Sequence, residues 1–174
     1  VAPELEFYLC EQNLDPDLPL KTPIGKSGRR ETGSRVFGID AVNEFDKLTD
    51  DIYDYCELMN IGVDTLVHES GPSQIEINLN HGDPLALADQ AFMFKRAVRQ
   101  VALKHNIHAT FMAKPYQGQP GSSMHIHQNL VSAKTGKNLF SDKEGNNSKE
   151  FFHYIGGLQT YLPDAMLLFA PYVN

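Results

Sequence analysis

Ionisable residues alternate with apolar ones in three short segments of this 174-residue chain. The segments read Pro-Glu-Leu-Glu-Phe-Tyr-Leu, Gln-Ile-Glu-Ile-Asn-Leu and Met-His-Ile-His. Successive side chains of an extended strand point to opposite faces of the sheet. Glu4 and Glu6 therefore share one face of a predicted strand, and His125 and His127 share one face of another. This alternation predicts a sheet whose polar face is a functional site.

Five residues on strand faces or strand ends are candidate metal ligands, namely Glu4, Glu6, Glu69, Glu76 and His125. Carboxylates that are crowded together repel one another unless a cation offsets their charge. Oxygen-rich sites with an imidazole suit Mg²⁺ or Mn²⁺, whereas zinc more often binds several His or Cys side chains. Such cations commonly bind substrate phosphates. The set therefore predicts a nucleotide-dependent reaction.

Each of these patterns also has a purely structural interpretation. Glu-x-Glu on a strand can be a solvated outer face, His-x-His can be a structural pair, and Glu69 and Glu76 can be ordinary hairpin surface. A zinc hydrolase that uses His125 and His127 would need a third nitrogen or sulfur ligand, and no motif in the sequence supplies one. The ordered combination, rather than a single pattern, indicates function.

The composition limits the classes of function. The chain is 41 % hydrophobic, which is enough for the core of one medium-sized domain. Its formal net charge of −7 argues against non-specific nucleic-acid binding. No apolar run approaches the roughly 20 residues of a membrane helix. Cys10 and Cys56 are too few for a disulfide framework, so we predict reduced packing residues in a cytoplasmic protein.

Periodicity and turn residues predict the elements that position these side chains. Strands are predicted over 1–10, 63–69, 74–80 and 108–114, with a histidine strand that ends near residue 131. Helices are predicted over 44–60, 84–105 and 149–162, with a further helical stretch from 163. A long polar loop, functional or mobile, is predicted over 11–35, and an exposed hairpin or loop over 134–147. Strands and helices do not alternate regularly, so we predict an α+β fold with a curved, mostly antiparallel sheet packed with helices.

The helix boundaries follow from capping and breaking residues. Gly62 is placed to end the helix over 44–60. Asp83 is a good N-cap for the helix over 84–105, and Ser148 for the helix over 149–162. The predicted buried stripe of the helix over 84–105 consists of Leu85, Ala88, Ala91, Phe92, Val98, Val101 and Ala102.

The three motifs, in this order, resemble those of the glutamine synthetase catalytic domain. The likeness covers the whole chain, and it includes His-Glu-Ser-Gly-Pro-Ser-Gln-Ile-Glu-Ile-Asn and Gly-Ser-Ser-Met-His-Ile-His-Gln. Segments 1–9, 81–84 and 109–115 are similar to the gamma-glutamylputrescine synthetase branch, which joins glutamate to polyamines. The resemblance implies that residues 1–174 are part of one catalytic domain. It also implies that an N-terminal domain and a C-terminal part lie outside this chain, so the chain alone should not turn over.

The resemblance implies two cation sites. Glu6, Glu69 and Glu76 match the ligands of the cation that lies nearer glutamate and the amine. Glu4 and His125 match two ligands of the cation that holds the nucleotide phosphates. Both cations would be Mg²⁺ or Mn²⁺.

The resemblance also assigns substrate-binding positions. His127 and Asn129 match ATP-binding positions, although Ser is frequent at the position of Asn129. Gly121 matches a glycine at the mouth of the glutamate pocket. Pro120 stands where true glutamine synthetases usually have an Asn, and because proline has no side-chain amide, this departure favours the polyamine branch.

The implied reaction uses ATP as co-substrate. Its γ-phosphate is transferred to the glutamate side-chain carboxylate, and an amine such as putrescine then attacks the acyl phosphate. The implied partners are these small molecules and further copies of the protein in a ring-shaped homo-oligomer. Two alternatives stay open: an ammonia-using glutamine synthetase, and a non-catalytic relative that keeps the fold for binding or assembly. The presence of all five ligand positions argues against the second.

Overall fold

The computed structural model describes residues 1–171, which belong to two compact units. The first unit spans Val1–His127 and the second begins at Gln128. The first unit contains the sheet and three helices, and the second contains one long helix. All five predicted metal ligands lie in the first unit.

A five-stranded antiparallel sheet forms the centre of the first unit. Its strands are β1 (Ala2–Glu11), β2 (Val63–His68), β3 (Gln74–Leu79), β4 (Ile107–Thr110) and β5 (Met124–His127). One edge of β1 pairs with β3, which in turn pairs with β2. The other edge of β1 pairs with β5 along its first half and with β4 along its second half. The predicted α+β class with an antiparallel sheet is therefore confirmed.

The region between β1 and β2 contains two helices rather than one. They are α1 (Ile39–Asn43) and α2 (Asp46–Leu58), and α1 was not predicted. The prediction that Gly62 ends the second helix is wrong. The chain leaves the helix two residues earlier, at Asn60, which adopts a left-handed conformation with φ of 60°. Asparagine tolerates this conformation because its short polar side chain can hydrogen-bond locally.

Helix α3 (Pro84–Lys104) lies where it was predicted, but part of its buried stripe was assigned wrongly. The Asp83 side chain accepts hydrogen bonds from the backbone N–H groups of Leu85 and Ala86, as expected for an N-cap. Leu85, Ala88 and Phe92 are exposed. The first half of the helix carries two apolar stripes, and the core covers the stripe that was not predicted. The buried residues are Leu87, Phe94, Ala97, Val98, Val101 and Ala102.

The core lies between one face of the sheet and helices α2 and α3. Leu5, Phe7 and Leu9 of β1 point into it, as the strand alternation predicts. The glutamates of β1 consequently point to the opposite face. Cys10 and Cys56 are buried free thiols, which confirms that they are packing residues.

The second unit contains α4 (Lys149–Phe169). Ser148 caps it, since its hydroxyl accepts a hydrogen bond of 3.1 Å from the backbone N–H of Phe151. Pro163 lies inside this helix rather than at the start of a new one, so the predicted boundary at 162 is wrong. Proline removes a single backbone donor, and the residues on both sides remain helical.

The polar segment over 11–35 is irregular, as predicted, and several contacts attach it to the rest of the unit. The backbone of Glu11 pairs with Lys21, and an isolated bridge joins Ile24 to Arg30. The Arg30 guanidinium also donates to the Glu11 carboxylate.

Among residues 1–171, none of the helices combines the length and apolar character that crossing a bilayer requires.

Candidate metal centre

The register of the sheet brings ligands from β1, β3 and β5 onto one polar patch. Glu6 lies opposite Glu76 across the β1–β3 pair, and Glu4 lies opposite His125 across the β1–β5 pair. Glu4, Glu76 and His125 each place one donor atom within 4.8 Å of the other two. Two carboxylates and an imidazole are thus close enough to bind one cation.

The carboxylate of Glu6 is held in a fixed orientation beside this trio. Its side chain is only 9 % exposed. One oxygen accepts hydrogen bonds of 3.0 Å from the side-chain amide of Gln74 and from the backbone N–H of Ser123, and the Ser123 hydroxyl donates to the other oxygen. That second oxygen lies 3.9 Å from Nδ1 of His125. The Glu6 carboxylate therefore has a fixed orientation and lies close to the candidate cation position.

The electrostatics of the patch favour a bound cation. Burial raises the pKa of Glu76 above its ordinary value of 4.5, and the negative charges of Glu4, Glu69 and Glu6 raise it further, although a hydrogen bond with Asn78 opposes the shift. Ionised carboxylates at these positions therefore destabilise one another. A divalent cation would remove that cost, and a donor set of carboxylate oxygens with one imidazole fits Mg²⁺ or Mn²⁺.

Glu69 lies one residue beyond β2, at the start of the turn that leads to β3. Its carboxylate accepts a hydrogen bond of 3.3 Å from the backbone N–H of Ser70. Its charge contributes to the raised pKa of Glu76 and of Tyr8. The Glu69 carboxylate is thus near the patch, although it is not one of the three closest donors.

The three predicted substrate-binding residues lie in surroundings that differ from one another. Nε2 of His127 lies 2.5 Å from Oε1 of Glu4, so His127 borders the metal trio. The Gly121 carbonyl accepts a hydrogen bond of 3.0 Å from Gln74. A Cβ atom at Gly121 would lie 2.7 Å from the backbone oxygen of Ala113, so the loop accommodates only glycine there. Asn129 belongs to the second unit, and its role in ATP binding stays a prediction.

Tyr8 fixes the loop that precedes Gly121. Its hydroxyl donates a hydrogen bond of 2.7 Å to the Pro120 carbonyl. Burial, followed by the charge of Glu6, raises the pKa of Tyr8 to about 12. The phenol therefore stays protonated at neutral pH and remains a donor.

Sequence reasoning missed two residues that orient the patch, Gln74 and Ser123. Gln74 is 1 % exposed. Besides its bonds to Glu6 and Gly121, its side-chain oxygen accepts from the backbone N–H of Gly71 at 2.9 Å. A signal for Gln74 was available, because it precedes Glu76 by two residues on a strand and so shares its face. Ser123 likewise precedes His125 by two residues, but it lies just before β5, in a Gly-Ser-Ser loop where the alternation of a strand does not have to hold.

Comparison with known proteins identifies the family. A family model described as the catalytic domain of glutamine synthetase matches residues 1–174. The chain belongs to the glutamine synthetase family. It is 42 % identical over 176 residues to gamma-glutamylputrescine synthetase PuuA of Escherichia coli K12, and 33 % identical over 174 residues to a glutamine synthetase of Pyrococcus horikoshii. Both matches cover the whole chain, which spans 37 % and 36 % of the length of these relatives.

The fold of this family member is also found in solved structures. A structure described as apo GmaS without ligand matches with a TM-score of 0.77 and 26 % sequence identity. The match covers 99 % of this chain and 39 % of that one. The predicted family resemblance and the predicted fold are both confirmed.

Proposed function

We propose that this glutamine synthetase family protein is an ATP-dependent ligase that joins the side-chain carboxylate of glutamate to an amine, putrescine or a related polyamine. The observation that carries the proposal is the convergence of Glu4, Glu76 and His125 on one patch. The similarity to a gamma-glutamylputrescine synthetase along the whole chain supports the choice of amine.

In this proposal, Glu6, Glu69 and Glu76 hold one divalent cation, and Glu4 and His125 hold a second. Bound Mg²⁺ or Mn²⁺ would neutralise negative charge on the phosphate oxygens of ATP. The donor trio takes Glu76 from the first set and Glu4 and His125 from the second. This overlap supports two neighbouring ions, which in two-metal sites lie about 3.5–4 Å apart.

The remaining roles concern the substrates. We infer that Gly121 borders the glutamate pocket and that His127 and Asn129 contact ATP. Once the γ-phosphate has been transferred to the glutamate carboxylate, the amine nitrogen attacks the acyl carbon. A C–N bond then forms, the C–O bond to phosphate breaks, and the nitrogen loses a proton. The acidic patch would also favour a cationic amine close to the reacting carbon.

Pro120 supports a polyamine rather than ammonia as the amine. It offers no side-chain amide beside Gly121, and its carbonyl is already bound by the Tyr8 hydroxyl. The principal alternative is an ammonia-using glutamine synthetase, which the similarity to the Pyrococcus enzyme favours. The two differ in the amine that stimulates ATP turnover.

The experiment measures glutamate-dependent release of phosphate from ATP by the full-length protein, with putrescine and with ammonium as alternative amines. We expect faster turnover with putrescine at low amine concentration, together with a product of the mass of gamma-glutamylputrescine. A preference for ammonium would support glutamine synthesis instead. Metal and ATP binding without turnover with either amine would support a non-catalytic member.

We propose that residues 1–174 are part of a single catalytic domain, which the match of the family model along the whole chain supports. The family resemblance supports a ring-shaped homo-oligomer of the full-length protein. The cytoplasmic location stays a prediction.

A further inference from the structure

A buried carboxylate outside the three motifs contacts the turn between β2 and β3. Glu31 belongs to the irregular segment that follows β1, yet its side chain is only 10 % exposed. Its Oε2 accepts a hydrogen bond of 2.6 Å from the backbone N–H of Ser73 and lies 2.9 Å from Nε2 of His68. Glu31 thus joins the loop to both ends of this turn.

His68 extends the contact to the backbone of a proposed metal ligand. The His68 side chain is fully buried, and its Nδ1 lies 2.8 Å from the carbonyl oxygen of Glu69. A carbonyl can only accept a hydrogen bond, so Nδ1 carries the hydrogen. The imidazole therefore links the Glu31 carboxylate to the backbone of Glu69.

The turn itself requires such support. Ser73 adopts a left-handed conformation with φ of 58°, which is unfavourable for residues other than glycine. Strained backbone of this kind persists when surrounding contacts determine it. Ser73 is fully buried, and its N–H donates to Glu31. The turn lies between Glu69 and the strand that carries Glu76, so its conformation sets how these two carboxylates face each other.

We propose that Glu31 is a positioning residue for the metal centre. Through its contacts with Ser73 and His68, it fixes the β2–β3 turn so that the carboxylates of Glu69 and Glu76 can bind the same cation. This inference rests on the proposed function, in which both glutamates are metal ligands. Groups that orient metal ligands without touching the metal commonly change metal affinity when they are replaced. Glu31 lies 37 residues before His68 in the chain, so this role extends the metal centre to a segment that carries none of its ligands.

The test measures Mn²⁺ binding to the full-length protein by the electron paramagnetic resonance signal of free Mn²⁺. Glu31→Ala removes the acceptor, and we expect the dissociation constant to rise by about 10-fold. Glu31→Asp retains the charge but shortens the side chain, so it should also weaken binding. Glu31→Gln retains an oxygen acceptor for the Ser73 N–H at the same reach but not the charge that faces His68, so it should weaken binding less than Glu31→Ala does.

Glu57→Ala is the matched control, because Glu57 is an exposed carboxylate of α2 that does not belong to the turn contact. Circular dichroism verifies that each variant is folded, and Glu31→Asp decides the question if Glu31→Ala does not fold. Unchanged Mn²⁺ affinity in a folded Glu31→Ala or Glu31→Asp protein would overturn the role of Glu31 alone. If the unsubstituted protein bound no Mn²⁺, both the proposed function and this inference would be overturned.

Discussion

Replacement of Glu76 by glutamine is expected to lower the rate of ATP-dependent ligation by the full-length protein by at least about 100-fold. A loss of about 100-fold is the upper end of the range for residues that only support a metal ligand. Glu76 provides one of the three converging donor atoms. An amide of the same shape lacks the negative charge that attracts a divalent cation. The measurement is phosphate release at saturating ATP over a range of Mg²⁺ or Mn²⁺ concentrations.

The same substitution should not weaken the fold of the metal-free protein. The pKa of Glu76 is raised in the folded state, so its ionised form opposes folding. The destabilisation is absent below the ordinary pKa of 4.5 and develops as the pH rises through the folded-state pKa. At pH 7, glutamine removes this cost, and thermal unfolding without metal should occur at the same temperature or higher.

The combination of lost activity and retained stability separates the loss of a ligand from misfolding. Glu57→Gln, which makes the same chemical change at an exposed position of α2, should leave both properties unchanged. Full activity of Glu76→Gln would contradict the metal centre proposed here. A large loss of stability would indicate that Glu76 has a structural role instead.

Gly71→Ala is expected to destabilise the protein by about 2–5 kcal/mol, the sum of typical costs for overpacking a core and for losing a buried hydrogen bond. A Cβ atom at Gly71 would lie 1.9 Å from the Tyr8 hydroxyl and 2.5 Å from Cζ of the ring. Tyr8 is fully buried and packs against Tyr116, with 5.1 Å between ring centroids. The tyrosine therefore has little room to move, and chemical denaturation with urea would measure the loss.

Gly33→Ala provides the control, since a Cβ atom at Gly33 would meet no atom within 4 Å. We expect its effect to stay within about 0.5 kcal/mol, as for most surface substitutions. Tyr8→Phe removes the atom that the new methyl group approaches most closely, so it should offset part of the cost of Gly71→Ala. Equal stability of Gly71→Ala and Gly33→Ala would show that the turn and Tyr8 can separate without cost.

The sequence predicts which residues share a face better than it predicts which strands meet. The two-residue period of a strand places Glu4 and Glu6 on the side opposite Leu5, and the structure agrees. The pairing of Glu4 with His125, 121 residues later, depends on the course of the intervening chain, which no local pattern specifies. The family motifs supplied this part of the prediction.

Other errors arose where two local solutions compete. The first half of α3 offers two apolar stripes, and only contact with the sheet determines that Leu87 is buried while Leu85 is exposed. Asn60 and Gly62 can both end a helix, and the chain uses the asparagine. Glu31 could not be found, because it lies in a polar segment without periodicity, where a buried carboxylate resembles its solvated neighbours.

The central claim is that acidic groups of β1 and β3 and an imidazole of β5 bind divalent cations together. The most direct test is a crystal structure of the full-length protein grown with Mn²⁺ and an ATP analogue, with data collected where manganese scatters anomalously. We predict anomalous peaks within bonding distance of Glu76, Glu4 and His125, with Glu6 and Glu69 completing the coordination. Bound nucleotide together with Mn²⁺ peaks away from all these residues would contradict it.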